Sequence, residues 1–164
     1  MNGVAFDQVE YPLECEPVRK AFWYVPQAGD CVFRCRTPFN PNRDLSDPFV
    51  EIQFVRKDSN VPFRPSQASY YCFGDHEPLP PLELRRRVHR GDDAFSFNSV
   101  GATTFMQFQQ VLKSLGFSGY QAFAHILDWG CGCGRSTRYF RHIRGASVTG
   151  IDIDAEALAW CREN

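Results

Sequence analysis

Between Asp128 and Gly134 the chain reads DWGCGCG, and the glycines at 130, 132 and 134 constrain the fold more than any other stretch. Glycine at alternate positions after FAHILDW, an apolar run of strand length, lets the backbone turn sharply. It also lets a ligand approach the main chain with no Cβ in the way. CGCGRSTRYFRHI is expected to lead from that turn into a helix, ASVTGIDI to form a second strand, and AEALAWCREN a second helix with Asp154 as N-cap. The order strand, helix, strand, helix calls for a parallel sheet covered by helices. The second strand ends on Asp152. An isolated buried carboxylate costs several kcal/mol, so a strand tip carrying one faces water, a helix terminus or a ligand.

An acidic residue about 20 positions beyond a glycine turn, at the end of the next strand, is where a ribose diol is gripped. Two ligand classes carry such a ribose. A dinucleotide sets a pyrophosphate against the loop, where Asp128 would repel it; S-adenosylmethionine (SAM) has no phosphate and presents an ammonium and a sulfonium that a carboxylate favours. The pattern G-x-G-x-x-G also needs glycine at 135, where the chain has Arg135. The N-terminal amides of the helix expected after the loop suit a negatively charged or carboxylate-bearing ligand.

ILDWGCGCGRSTRYF followed by VTGIDIDAEALAWCREN resembles the first two motifs of class I SAM-dependent methyltransferases. PPLELRRRVHRGDDAFSFNSVG and the helix after it resemble the lead-in of bacterial members, so the resemblance covers about residues 80 to 164. It implies an α/β fold whose Rossmann-like parallel sheet is incomplete here, with the first two strands of a class I methyltransferase; the residues before it read separately as a small all-β module. It further implies SAM as cofactor, with Asp128 and the backbone of Gly130 and Gly132 holding the methionine end. Cys131 and Gly134 belong to the same cofactor-binding loop. Asp152 takes the ribose hydroxyls, Ile153 lies against the adenine, and Arg87 reaches the cofactor carboxylate. The methyl acceptor and the catalytic residues are not named by the resemblance.

Upstream, short aromatic runs separated by turn residues, AFWYV, DCVFRCR, FVEIQFV and ASYYCF, read as strands of a β-rich accessory module over residues 1–76. PQAGD is expected to close a hairpin between the first two. The prolines of EPLPP then mark a linker, and residues 77–123 hold lead-in helices. LELRRRVHR is expected as a short helix, GDDAFSFNSVG as a loop, and TTFMQFQQVLKSLG as a longer helix. Its apolar stripe would be Phe105, Phe108, Leu112 and Leu115, with Gly116 as C-terminal cap. Residues 124–164 begin the SAM-binding domain.

A net charge of −1 gives no general attraction to nucleic acid or anionic membranes. No stretch approaches the roughly 20 apolar residues that cross a bilayer. The start, MNGVAFDQVEYPLE, is acidic where a signal peptide is basic, so a cytoplasmic location follows by default. Seven cysteines are read as reduced thiols. A zinc site from Cys31, Cys35, Cys72 and His76 is disfavoured, because alternation sets Cys31 and Cys35 about 13 Å apart on one strand face. Cys131 and Cys133 are expected to fill tight space. The run Arg85, Arg86, Arg87, His89 and Arg90 is followed by Asp92 and Asp93 and reads as a solvated helix face. His125 and His142 have no assigned partner, and Trp23, Tyr24, Tyr70 and Tyr71 are expected in the core.

The leading reading is therefore a SAM-dependent methyltransferase of which this chain carries the cofactor half and, ending inside a helix, is a truncated form inactive alone. The family sheet has seven strands and this chain reaches the second, which would leave an aggregation-prone edge on the first. The alternative is a non-catalytic SAM-binding or adaptor protein whose β module recognises a partner or glycan. An NAD-linked oxidoreductase stands third.

Overall fold

The computed structural model describes residues 8–30, 32–36, 48–53, 69–72 and 78–164. The chain forms two compact units, Met1–Ser46 and Asp47–Asn164. In the first, β1 (Gln8–Leu13) pairs antiparallel with β2 (Val32–Arg36), Glu10 facing Arg34 across the strands with a 3.1 Å ion pair. Between them lies α1 (Glu16–Ala21), supported by a Lys20–Glu16 pair one turn apart and by a proline in its first turn. The strand expected over AFWYV is therefore not formed. Its alanine ends α1, and Phe22 to Val25 run through turns closed by bonds such as Val25 N–H to Phe22 O. Trp23 and Tyr24 are exposed and touch edge to face, so neither is a core residue. PQAGD consequently closes no hairpin between two strands.

The second unit begins with β3 (Phe49–Ile52) and β4 (Ser69–Cys72), an antiparallel pair packed on a long helix. The proline-marked change near residue 77 falls inside this unit. α2 (Leu82–Val88) follows, two residues shorter than the helix expected over LELRRRVHR, with His89 as its C-cap. α3 (Ala94–Ser114) is longer than its expected span. The stretch AFSFNSVG belongs to it because Asp93 caps its start: Oδ1 accepts from Ser96 N–H at 2.6 Å and Oδ2 from the Ser96 hydroxyl at 2.6 Å. The polar residues that suggest a loop are thus capping residues.

The buried face of α3 is Phe97, Asn98, Gly101, Ala102, Phe105 and Gln109. Of the expected stripe only Phe105 is buried, while Phe108 and Leu115 are more than half exposed. Gly116 ends the helix as expected, with φ of +90° and with Gly116 N–H on Lys113 O and Phe117 N–H on Leu112 O.

β5 (His125–Trp129) and β6 (Ser147–Ile151) pair in parallel, from His125 opposite Ser147 to Trp129 opposite Ile151. This small parallel sheet within a mixed α/β chain is compatible with part of a Rossmann-like fold. β5 alternates: Ile126 and Asp128 are half-buried, whereas Leu127 and Trp129 face outward. The helix expected after the glycine loop is only a six-residue 3-10 helix, Thr137–His142, so it brings no extended helix dipole to the loop. α4 (Ala155–Glu163) starts where expected, Asp154 Oδ1 accepting from Ala157 N–H at 3.1 Å.

Two clusters hold the unit. Phe49, Tyr70, Cys72, Ala102, Phe105, Tyr120 and Tyr139 join β3, β4, α3, a short 3-10 helix at Tyr120–Ala122 and the one at Thr137–His142, with Ile126 of β5 and Phe140 packed against them. Phe105 stacks between Phe49 and Tyr120 at centroid distances of 5.2 and 4.8 Å. Leu84, Phe97, Cys133 and Ala157 tie α2, α3, the glycine loop and α4 together. Each large apolar side chain so buried contributes about 1.5–3 kcal/mol. No helix among the described residues is long and apolar enough to cross a membrane.

Candidate cofactor site

The loop after β5 has Gly130, Gly132 and Gly134 at φ of +78°, +54° and +79°, the left-handed region that side chains disfavour. Gly130 N–H and Cys131 N–H both donate to Ile151 O, at 2.8 and 3.1 Å, which fastens the loop to the tip of β6. A Cβ at Gly132 would lie 2.7 Å from Val88 Cγ1 of α2, whereas one at Gly130 would meet nothing within 4 Å. Gly132 is therefore a packing position and Gly130 an open one. Gly134 faces the Cys161 sulfur beneath the loop. Cys131 and Cys133 are buried and fill space, as expected. Burial, and after it the neighbouring Cys161, Asp128 and Asp152, pushes the Cys131 thiol up to about 11; burial also raises Cys133.

Asp152 is half-buried at the tip of β6, and its carboxylate is bound by main-chain amides. Oδ1 accepts from Asp154 N–H at 2.9 Å and Oδ2 from Gly132 N–H at 2.6 Å. Those bonds, that of Asp154 first, hold its carboxyl below the usual carboxylate range. The end of a strand thus carries a charge because two amides partly solvate it, and each oxygen keeps a further lone pair for a hydroxyl. Asp128 Oδ2 accepts from the Thr137 hydroxyl at 2.5 Å.

Two concavities meet at Gly130. An open cleft of about 560 Å³ is lined by Trp129, Gly130, Ile151, Asp152 and Ile153. A narrower cavity of about 230 Å³ has Asp128, Gly130, Cys131, Arg135 and Ser136 on its loop side, with Val88 of α2, Phe105 and Phe108 of α3, and Tyr120 among its walls. Of the expected site residues, Asp152 and Ile153 line the cleft, Asp128 and Cys131 the cavity, and Gly130 both. Gly132 reaches the site through its amide.

Arg87 lines neither. Its guanidinium is bound by Asp154 at 2.8 and 2.9 Å and by Glu156 at 2.6 Å, tying α2 to the start of α4. Arg86 is bidentate on Asp92, Arg85 donates to the carbonyls of Pro80 and Asp92, and the His89 ring bonds the Ser96 hydroxyl. Arg86, Arg87 and Arg90 are exposed, so the run is a solvated face as expected, crossed by local ion pairs. His125 bonds Ser147 Oγ at 2.7 Å, and His142 Nε2 lies 3.6 Å from Cys72 Sγ. No group of three or more His, Cys, Asp or Glu is placed to hold a metal among the described residues. Cys31, Cys35 and His76 of the disfavoured zinc set lie outside the residues whose side chains are described.

Sequence reasoning missed Trp129, Arg135, Phe108 and Tyr120 as lining residues. Only Arg135 carried a signal, as the residue standing where a dinucleotide loop has glycine.

A parallel strand pair with a left-handed glycine loop after the first strand and a carboxylate on the tip of the second is the arrangement that holds nucleoside cofactors in sheets of this kind. Residues 126–164 match a protein-family model described as a methyltransferase domain. This supports a class I SAM-dependent methyltransferase domain, a family whose members use SAM as methyl donor. No curated protein and no solved structure matches the chain.

Proposed function

We propose that this chain is the cofactor-binding part of a SAM-dependent methyltransferase, the donor lying across Gly130 with its nucleoside in the cleft and its amino-acid end in the cavity. The observation that carries the reading is the meeting of cleft and cavity at one glycine whose missing side chain leaves open space. The cleft's carboxylate suits a diol, and Asp128 on the cavity wall would repel a pyrophosphate. SAM, when bound, supplies an electrophilic methyl on a sulfonium, so the protein's part is to orient it.

In this reading Asp152 accepts hydrogen bonds from the ribose hydroxyls while keeping those from Gly132 and Asp154. Ile153, fully exposed at the cleft, lies against the adenine. Asp128 attracts the cationic end, and its bond from Thr137 holds it in place. The family match favours methyl transfer over an adaptor role.

Calorimetry with SAM on the wild type and Asp152→Ala tests the reading. A loss of about 10-fold or more in the variant is expected, since a charged acceptor of two hydroxyls is removed. Equal affinities refute the ribose role.

A further inference from the structure

Arg135 stands on the wall of the cavity that holds Asp128, whereas Arg87 is taken up by two carboxylates of the α4 terminus. From this we propose that Arg135, not Arg87, binds the α-carboxylate of the donor's amino-acid end. The inference rests on the reading just given and adds to it a residue the family motifs do not assign.

Three observations support it. Arg135 Nη1 donates to Val88 O at 2.6 Å, which anchors one corner of the guanidinium on the last residue of α2. A guanidinium has five N–H donors, and this bond uses one, so a planar fork remains for a carboxylate. Among the described residues no Asp or Glu forms an ion pair with Arg135, so a ligand carboxylate would displace no internal anion. Arg87 would have to leave Asp154 and Glu156 to do the same work, and Asp154 is also the cap of α4.

The wall of this cavity of about 230 Å³ therefore carries one acidic residue, Asp128, and one arginine, Arg135. That pair complements an ammonium and a carboxylate on one carbon. Ser136 adds a hydroxyl to the same wall. The arrangement selects a free amino-acid zwitterion over a bare nucleoside.

The test titrates the full chain, as wild type, Arg135→Gln, Arg135→Lys and Arg87→Gln, with SAM and with 5′-methylthioadenosine, which keeps the nucleoside and sulfur but lacks the amino-acid end. Arg135→Gln is expected to weaken SAM about 10- to 100-fold and to leave 5′-methylthioadenosine within about 2-fold. Arg135→Lys recovers part of the loss, and Arg87→Gln leaves the ratio of the two affinities at the wild-type value. Arg135→Gln weakening both ligands alike marks a structural role and overturns the inference, as does no effect on either. Selective loss of SAM in Arg87→Gln transfers the role to Arg87. If the wild type binds 5′-methylthioadenosine and SAM equally, the carboxylate contact is absent while the nucleoside reading survives. If it binds neither, that reading falls first.

Discussion

Replacing Gly101 by alanine sets two effects of opposite sign against each other. Gly101 lies in the middle of α3, where alanine is preferred over glycine by about 1 kcal/mol. Helix preference alone therefore makes Gly101→Ala stabilising. The packing makes it destabilising: a Cβ there would sit 2.2 Å from the carbonyl oxygen of Arg135 and 3.0 Å from Tyr139 Cε2. The first obstacle is backbone in the exit of the glycine loop and the second a fully buried ring, so neither swings aside. α3 and the loop must part by roughly 1 Å, and overpacking of this kind costs about 1–3 kcal/mol. With rigid obstacles on both counts the upper end applies, and after the helix gain about 2 kcal/mol of destabilisation remains. In urea unfolding followed by circular dichroism, the midpoint should fall by about 1 M at unchanged slope. A midpoint equal to or above that of the wild type refutes the packing argument and leaves helix preference in command.

Two further outcomes follow from buried and charged groups. Tyr139, fully buried, donates its hydroxyl to Asn98 O at 2.8 Å, so Tyr139→Phe should cost about 1 kcal/mol by the same unfolding measurement; no loss would mean the bond contributes nothing net. The carboxyl of Asp152 is held below its ordinary range, so its amide bonds stabilise the fold fully above the unfolded carboxylate range, and that contribution is lost as pH falls through about 4 and below. Asp152→Asn should accordingly show a shallower fall in urea midpoint between about pH 5 and pH 2 than the wild type, and parallel curves would refute the linkage.

What was legible in the chain was local. The strand pair, the glycine turn, Asp154 as a cap and Gly116 as a terminator each depend on residues within a few positions of one another. The start of α3 was misread because Asp93 and Ser96 have the composition of a loop and the function of a cap. Its buried face was misplaced because Gly101 and Ala102, small residues invisible to a search for large apolar ones, are where the glycine loop and Tyr139 press closest. AFWYV was misread because aromatic density alone does not say whether a strand partner exists. The arginines show the limit most clearly: Arg87 and Arg135 are equally basic on paper. Only the docking of α2 against α4 shows that one is consumed by carboxylates and the other faces a cavity.

Three successive parts of the glycine loop lean on α2: Gly132 on the Val88 side chain, Cys133 Sγ on Leu84 O, and Arg135 on Val88 O. The segment that carries the methyltransferase signature begins only at residue 126, so its most constrained turn is braced by a helix it does not include. A boundary drawn at the signature would leave every motif residue in place and remove the wall they are pressed against. Donor affinity in such a shortened protein would measure the missing buttress rather than the motif.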